Sequence, residues 1–168
     1  MLFNKGEEQL PNYLQFPISK KVGAISLVIF GSLLVVLPMV SSISDSTLLT
    51  MFDSFYRSGA LVFGGGHVVL PLLEIEVLKN QWMSEEVFLA GYGLTQAVPG
   101  PLFTFAAYLG AIINGWLGSL IATVAIFLPA FLLIVGALPF WNTLKQNKKM
   151  RSALIGINAG VVGILLAS

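Results

Sequence analysis

The chain has 168 residues, of which 56% are hydrophobic and 10% charged, and its mean hydropathy is +0.86. A soluble domain carries about a quarter charged residues, so this composition excludes an ordinary globular domain and assigns an all-α, polytopic integral membrane protein. The net charge of +1 comes with no basic patch for nucleic acid, and the absence of cysteine excludes disulfides, thiolate metal sites and cysteine catalysis.

Residues 1–19 are mixed in character, with Lys5, Glu7, Glu8, Pro11 and Pro17. They lack the apolar core and small-residue cleavage site of a signal peptide and read as a lead-in. Residues 20–168 read as a single transmembrane domain. Lys20 and Lys21 precede a charge-free run from Val22 to Ser44, which exceeds the roughly 20 residues that a span needs. Asp45 and Ser46 can cap the next helix. That helix carries Leu48, Phe52, Phe55 and Gly59 at helical spacing, and it reaches the triple glycine Gly64-Gly65-Gly66. Asp53 and Arg57, four apart, can pair on one face. Val68 to Leu78 is then apolar except for Glu74 and Glu76, with Pro71 inside it. Ser84 can cap a further helix whose Glu85 and Glu86 suit the positive end of its dipole.

No ionisable side chain occurs from Val87 to Leu144, a length sufficient for two crossings. The first is interrupted by Pro99-Gly100-Pro101, and the second is expected at Trp116 to Leu138 with a kink at Pro129. A basic loop follows with Lys145, Lys148, Lys149 and Arg151. The last apolar run, Ala153 to Ser168, would reach roughly 24 Å, short of the roughly 30 Å hydrocarbon core. The domain is therefore expected to be incomplete at its C-terminus. The positive-inside rule puts both basic segments in the cytoplasm. The two broken segments must then both cross or both re-enter, and parity does not separate these cases.

The breaks carry the functional reading. Lipid cannot satisfy open backbone, so such breaks survive only where protein or a water-filled cavity does. Paired broken segments near the midplane are a usual build of a transporter's ion site. Pro101 suits the first position of a helix, whose free N–H groups would face the break as an anion site. The glycines allow backbone N–H groups to approach a ligand closely. Gln96, Thr95, Thr104 and Ser58 could add neutral donors. Arg57 is the cation close to a break and could fork a tetrahedral oxyanion, or simply pair with Asp53. The triple glycine could instead serve close packing alone. His67 and Glu74, seven apart, would share a face of a continuous helix and are candidates for coupling, or, with Pro71 between them, are an interfacial carboxylate and a hydrogen-bonded histidine. Glu74 and Glu76 fall on different faces, which argues against a metal pair. No cofactor is called for, and nothing assembles into an enzyme's nucleophile and base.

The stretch Phe55 to Pro71 with its Phe-Gly-Gly-Gly-His core resembles the signature of the chromate ion transporter family. So do the run from Gly93 to Pro101, Trp82-Met83-Ser84 and Phe127-Leu128-Pro129-Ala130. The resemblance implies a multi-pass protein of the cell membrane, in contact with lipid, exporting or exchanging chromate or sulfate. Long members of that family are two homologous halves and short members pair. This chain is similar to the second half, or to a short member, and would need a second half as homodimer or heterodimer. The residues carried over are Gly64, Gly65, Gly66, Gln96, Pro99, Gly100 and Pro101. Two other readings stay open: a carrier for a cation or neutral solute, and a non-transporting subunit that packs through Gly156 and Gly160.

Overall fold

The computed structural model describes residues 18–62, 66–97, 102–141 and 156. Among the described residues the structure is helical throughout, with five α-helices. The first, α1, spans Lys20–Ser41 and contains 22 residues. Ser19 caps it, its hydroxyl accepting from the Val22 amide at 3.3 Å. The apolar run thus becomes helix as expected, shifted about one turn toward the lysines. At a rise of 1.5 Å per residue α1 is about 33 Å long. Its outward side chains are apolar, with Val28 66% and Val35 61% exposed.

Helix α2 spans Thr47–Leu61. Ser46 is its N-cap residue, but its hydroxyl makes no capping bond; its carbonyl instead accepts from Leu49 and Thr50. Three contacts set how far α2 runs along its neighbours. Ser41, at the end of α1, donates to Asp53. The Tyr56 hydroxyl donates to the Phe30 carbonyl, halfway along α1. A Cβ on Gly59 would lie 2.1 Å from the Ile126 carbonyl oxygen. So α2 starts at the end of the bundle remote from Lys20 and stops near its middle.

Helix α3, Gly66–Lys79, runs through Pro71 and returns antiparallel to α2. Glu76 receives the Ser54 hydroxyl, and Lys79 and Asn80 reach the same cavity as Ser41 and Ser42. A tight turn then closes α3. The Trp82 amide bonds the Val77 carbonyl, the Gln81 amide bonds Leu78, and Gln81 takes a left-handed φ of 54°.

Helix α4 spans Glu85–Ala97, with the Ser84 hydroxyl accepting from the Val87 amide at 3.4 Å. After a 3-10 turn at Leu102–Thr104 comes α5, Phe105–Ala137. It is two limbs rather than one rod. Asn114 has φ −149° and Gly115 φ 57°, outside helical values. A Cβ on Gly118 would sit 2.1 Å from the Gly110 carbonyl oxygen, whereas eight residues of straight helix would separate them by about 12 Å. The limb 105–113 therefore doubles back along the limb 116–137. The reversal falls at Asn114–Gly115, just ahead of the span expected from Trp116, while Pro129, where a kink was expected, stays within the helix.

Two helices are long and apolar enough to cross a membrane: Lys20–Ser41 and the stretch Phe105–Phe140, of which the limb 116–137 is the continuous part. They are antiparallel. A Cβ on Gly23 would meet Pro139 and the Gly136 carbonyl, which puts Lys20 and Trp141 at one end. In the middle lies a core of Met51, Phe55, Tyr56, Leu73, Phe105, Leu109 and Ala122, all 0% exposed. Backbone-to-backbone approach at Gly23, Gly59, Gly110 and Gly118 draws the helices together, as expected where dispersion rather than water drives association.

Candidate functional site

The polar residues of the α2–α3 pair collect at one level. Arg57 Nη2 lies 3.2 Å from Asp53 Oδ2 on its own helix and 3.4 Å from Glu76 Oε1 across the gap. The first pair is the i,i+4 contact expected from the sequence. The second joins the two arms of the helix pair. Glu76 also accepts from Ser54 at 2.7 Å, and Asp53 from Ser41 at 3.2 Å. Asp53 is 3% exposed. Its Oδ1 and the Arg57 Nε are buried without a hydrogen-bond partner among the described residues. Two carboxylates thus share one guanidinium, leaving the triad with a negative charge before Lys79 is counted.

Two cavities flank this triad. The outer one, about 350 Å³, is lined by Ser41, Ser42 and Thr50, by the triad, and by Ser54, Lys79 and Asn80. The inner one, about 70 Å³, is lined by Arg57, Ser58, Leu61, Leu72, Ile75 and Glu76. Local structure fixes the wall between them. Asn80 donates from both its backbone and side-chain nitrogens to the Glu76 carbonyl, at 3.2 and 2.8 Å, anchoring the end of α3. Ser58 donates to the Ser54 carbonyl at 2.8 Å.

Of the expected site residues, Arg57 lies at the centre of this cluster. Gly66 opens α3; His67 lies in its first turn, and the His67 side chain lies outside the described residues. Glu74 is half-buried on α3, apart from the triad. Gln96, near the end of α4, donates to the Tyr92 hydroxyl, and Thr95 to the Gly91 carbonyl. Gly64, Gly65, Pro99, Gly100 and Pro101 lie outside the described residues. The turn Leu102–Thr104 packs on α3, and the Phe103 ring lies tilted at 5.7 Å from Phe127.

Sequence reasoning missed Glu76, Ser54 and Ser41. Glu76 was set aside because it does not share a face with Glu74. The signal that could have found it is the antiparallel return of the chain: with α2 ending at Leu61 and α3 starting at Gly66, Glu76 comes back to about the level of Met51, one turn from Ser54.

An all-helical bundle with two membrane-length helices, and a charged cluster between the arms of a helix pair, defines a protein of the membrane-transporter class. Residues 49–168 match the family described as Chromate transporter, and the chain belongs to that family. It is 34% identical over 127 residues to a chromate transport protein of Pseudomonas aeruginosa, covering 74% of this chain and 30% of that protein. It is 35% identical over 118 residues to YwrB of Bacillus subtilis, described as an uncharacterized transporter, covering 69% of this chain and 59% of that one. A probable chromate transport protein of Synechococcus elongatus is 27% identical over 133 residues, 77% of this chain and 34% of its own length. The chain thus matches about a third of the longer relatives and about three fifths of the shorter one. No solved structure matches it.

Proposed function

We propose that this chain is a half-unit of a multi-pass cell-membrane transporter that exports or exchanges chromate or a related oxyanion such as sulfate. In this reading it pairs with a second half, as homodimer or heterodimer. The pairs α2–α3 and α4–(105–113) are re-entrant hairpins that dip from the non-cytoplasmic face. The observation that carries it is the depth of α2: it ends level with Phe30 and Ile126, halfway along the two membrane-length helices. Its returning partner α3 brings Lys79 back beside Ser42. A hairpin whose arms end at mid-depth, at Leu61 and Gly66, brings those ends to the level where a transporter's ion site lies. The helices that flank the second break, α4 and the limb 105–113 of α5, pack on each other. Backbone N–H groups at both tips, with Gln96 nearby, hold the anion, and Arg57 attracts it; His67 and Glu74 are the candidates for coupling. The half-unit reading is supported by the two size classes among the relatives, one of which this chain matches by about a third and the other by more than half.

Flux of labelled chromate and sulfate into proteoliposomes, with the chain alone and with a candidate second half, tests this. Saturable flux that the two anions inhibit mutually is expected when both halves are present. Gly65→Ala or Gly100→Ala should abolish it, since a β-carbon blocks close approach to backbone N–H groups. A folded, membrane-inserted pair that moves neither anion, or glycine variants that match the parent, would refute the anion site.

A further inference from the structure

Arg57 and Glu76 are the two residues that line both cavities. The outer cavity lies at the end of the bundle remote from Lys20, beside Ser41 and Ser42. The inner one leads to Leu61, the last residue of α2 before the triple glycine. A path from the outer cavity to the inner one therefore passes between Arg57 and Glu76. Their contact of 3.4 Å closes that route with an ion pair across the two arms.

We propose that the Arg57–Glu76 pair is the outer gate of the path, and that Glu76 is a built-in competitor which the entering oxyanion displaces from Arg57. This deepens the oxyanion reading above and rests on it. The outer cavity, at about 350 Å³, has ample room for a tetrahedral oxyanion. It offers the Ser41, Ser42 and Thr50 hydroxyls, the Asn80 amide and the Lys79 ammonium. A dianion arriving there carries twice the charge of Glu76 and presents oxygens to the guanidinium fork. Glu76 holds Arg57 by a long contact through a single nitrogen, while the Arg57 Nε has no hydrogen-bond partner among the described residues. The released carboxylate has somewhere to go. It keeps the Ser54 hydroxyl at 2.7 Å, and Lys79 lies three residues further along its own helix face. Asp53 stays with Arg57, so the guanidinium is never left without a counter-charge. The charged groups facing the pair are Asp53 on α2 and Lys79 on α3; α1 contributes only serines and Pro38. The pair therefore bars the passage from the outer cavity to the inner one until an anion of sufficient charge arrives, which is selectivity by competition rather than by size.

The cysteine-free chain allows a direct test. Ser58 lines the inner cavity, and Ser58→Cys is close to isosteric. In inside-in vesicles it should react slowly with a negatively charged, membrane-impermeant thiol reagent added outside. Adding Glu76→Gln should speed that reaction about tenfold, and Ser54→Ala, which releases one oxygen of Glu76, should speed it severalfold. Calorimetry of the assembled transporter with sulfate should show binding about tenfold tighter in Glu76→Gln than in the parent. Sulfate is the probe because it stays a dianion around neutral pH, where chromate takes up a proton. Equal thiol rates in the parent and both variants would overturn the gate. Unchanged or weaker sulfate affinity in a folded Glu76→Gln protein would overturn the competition. Absence of sulfate and chromate binding in every form would instead sink the oxyanion reading, while the thiol rates would still decide the gate.

Discussion

Gly59 and Arg57 lie two positions apart on α2 and face different tasks. A β-carbon at Gly59 would fall on the Ile126 carbonyl, 2.1 Å away. The obstacle is backbone, so the two helices must separate to admit it. Gly59→Ala is expected to destabilise the protein by about 1–3 kcal/mol, the usual cost of overpacking. A drop in the thermal midpoint of the detergent-solubilised protein checks this; an unchanged midpoint would mean that the helices yield freely there. Arg57 holds two carboxylates while keeping donors in reserve. Arg57→Lys preserves the charge but loses the planar fork. It should retain part of the sulfate flux, and Arg57→Ala should retain none; equal flux in the two variants would remove the role of charge. The Asp53–Arg57 pair was legible because both residues lie on one helix with a four-residue spacing. Glu76 was not, because its partnership depends on a turn between helices, and local periodicity carries no information about how two helices face each other.

The elements themselves were mostly legible. Charge-free runs bounded by lysines or by Ser84 and its acids announced α1 and α4, and the limb 116–137 falls almost where the expected span Trp116 to Leu138 lay. A reversal before Trp116 was implied by the expected span, but Asn114–Gly115 was not named as its turn, because a single Asn-Gly in an apolar run is a weak signal beside proline. Gly110 and Gly118 were needed with it: only residues without side chains let the limbs lie backbone to backbone. The turn after α3 allows a prediction. Gln81 holds φ 54° at the position past a helix end where glycine is usual. Left-handed backbone costs an ordinary residue about 1 kcal/mol. Gln81→Gly should therefore stabilise the protein by about 0.5–1 kcal/mol, read as a rise in the thermal midpoint with flux retained. A fall would show that the Gln81 side chain contributes more than its backbone strain costs.

At the scale of the molecule, two continuous helices of membrane length run antiparallel, and every other described helix starts or ends near their middle. Lys20 and Trp141 lie at one end, beside the Gly23–Gly136 approach. Ser41, Lys79 and Asn80 line one cavity at the other end, and the Ser84 cap of α4 follows Asn80 by a single turn. Positive-inside bias assigns the Lys20 end to the cytoplasm. If both helix pairs re-enter, Lys79 and Glu85 face the non-cytoplasmic side. If both cross instead, the segment from Lys79 to Glu85 is cytoplasmic along with Lys20. The sequence left these cases equal because each preserves parity. The end of α2 near the level of Phe30 and Ile126 is what supports the re-entrant reading proposed above. Single cysteines replacing Lys20 or Glu85 in the cysteine-free chain should therefore label from opposite faces of intact cells and inverted vesicles. The impermeant reagent should reach position 85 in intact cells and position 20 only in inverted vesicles. Labelling of both positions from one face would mean that the helix pairs cross, and would take with it the mid-depth hairpin tips on which the oxyanion site depends.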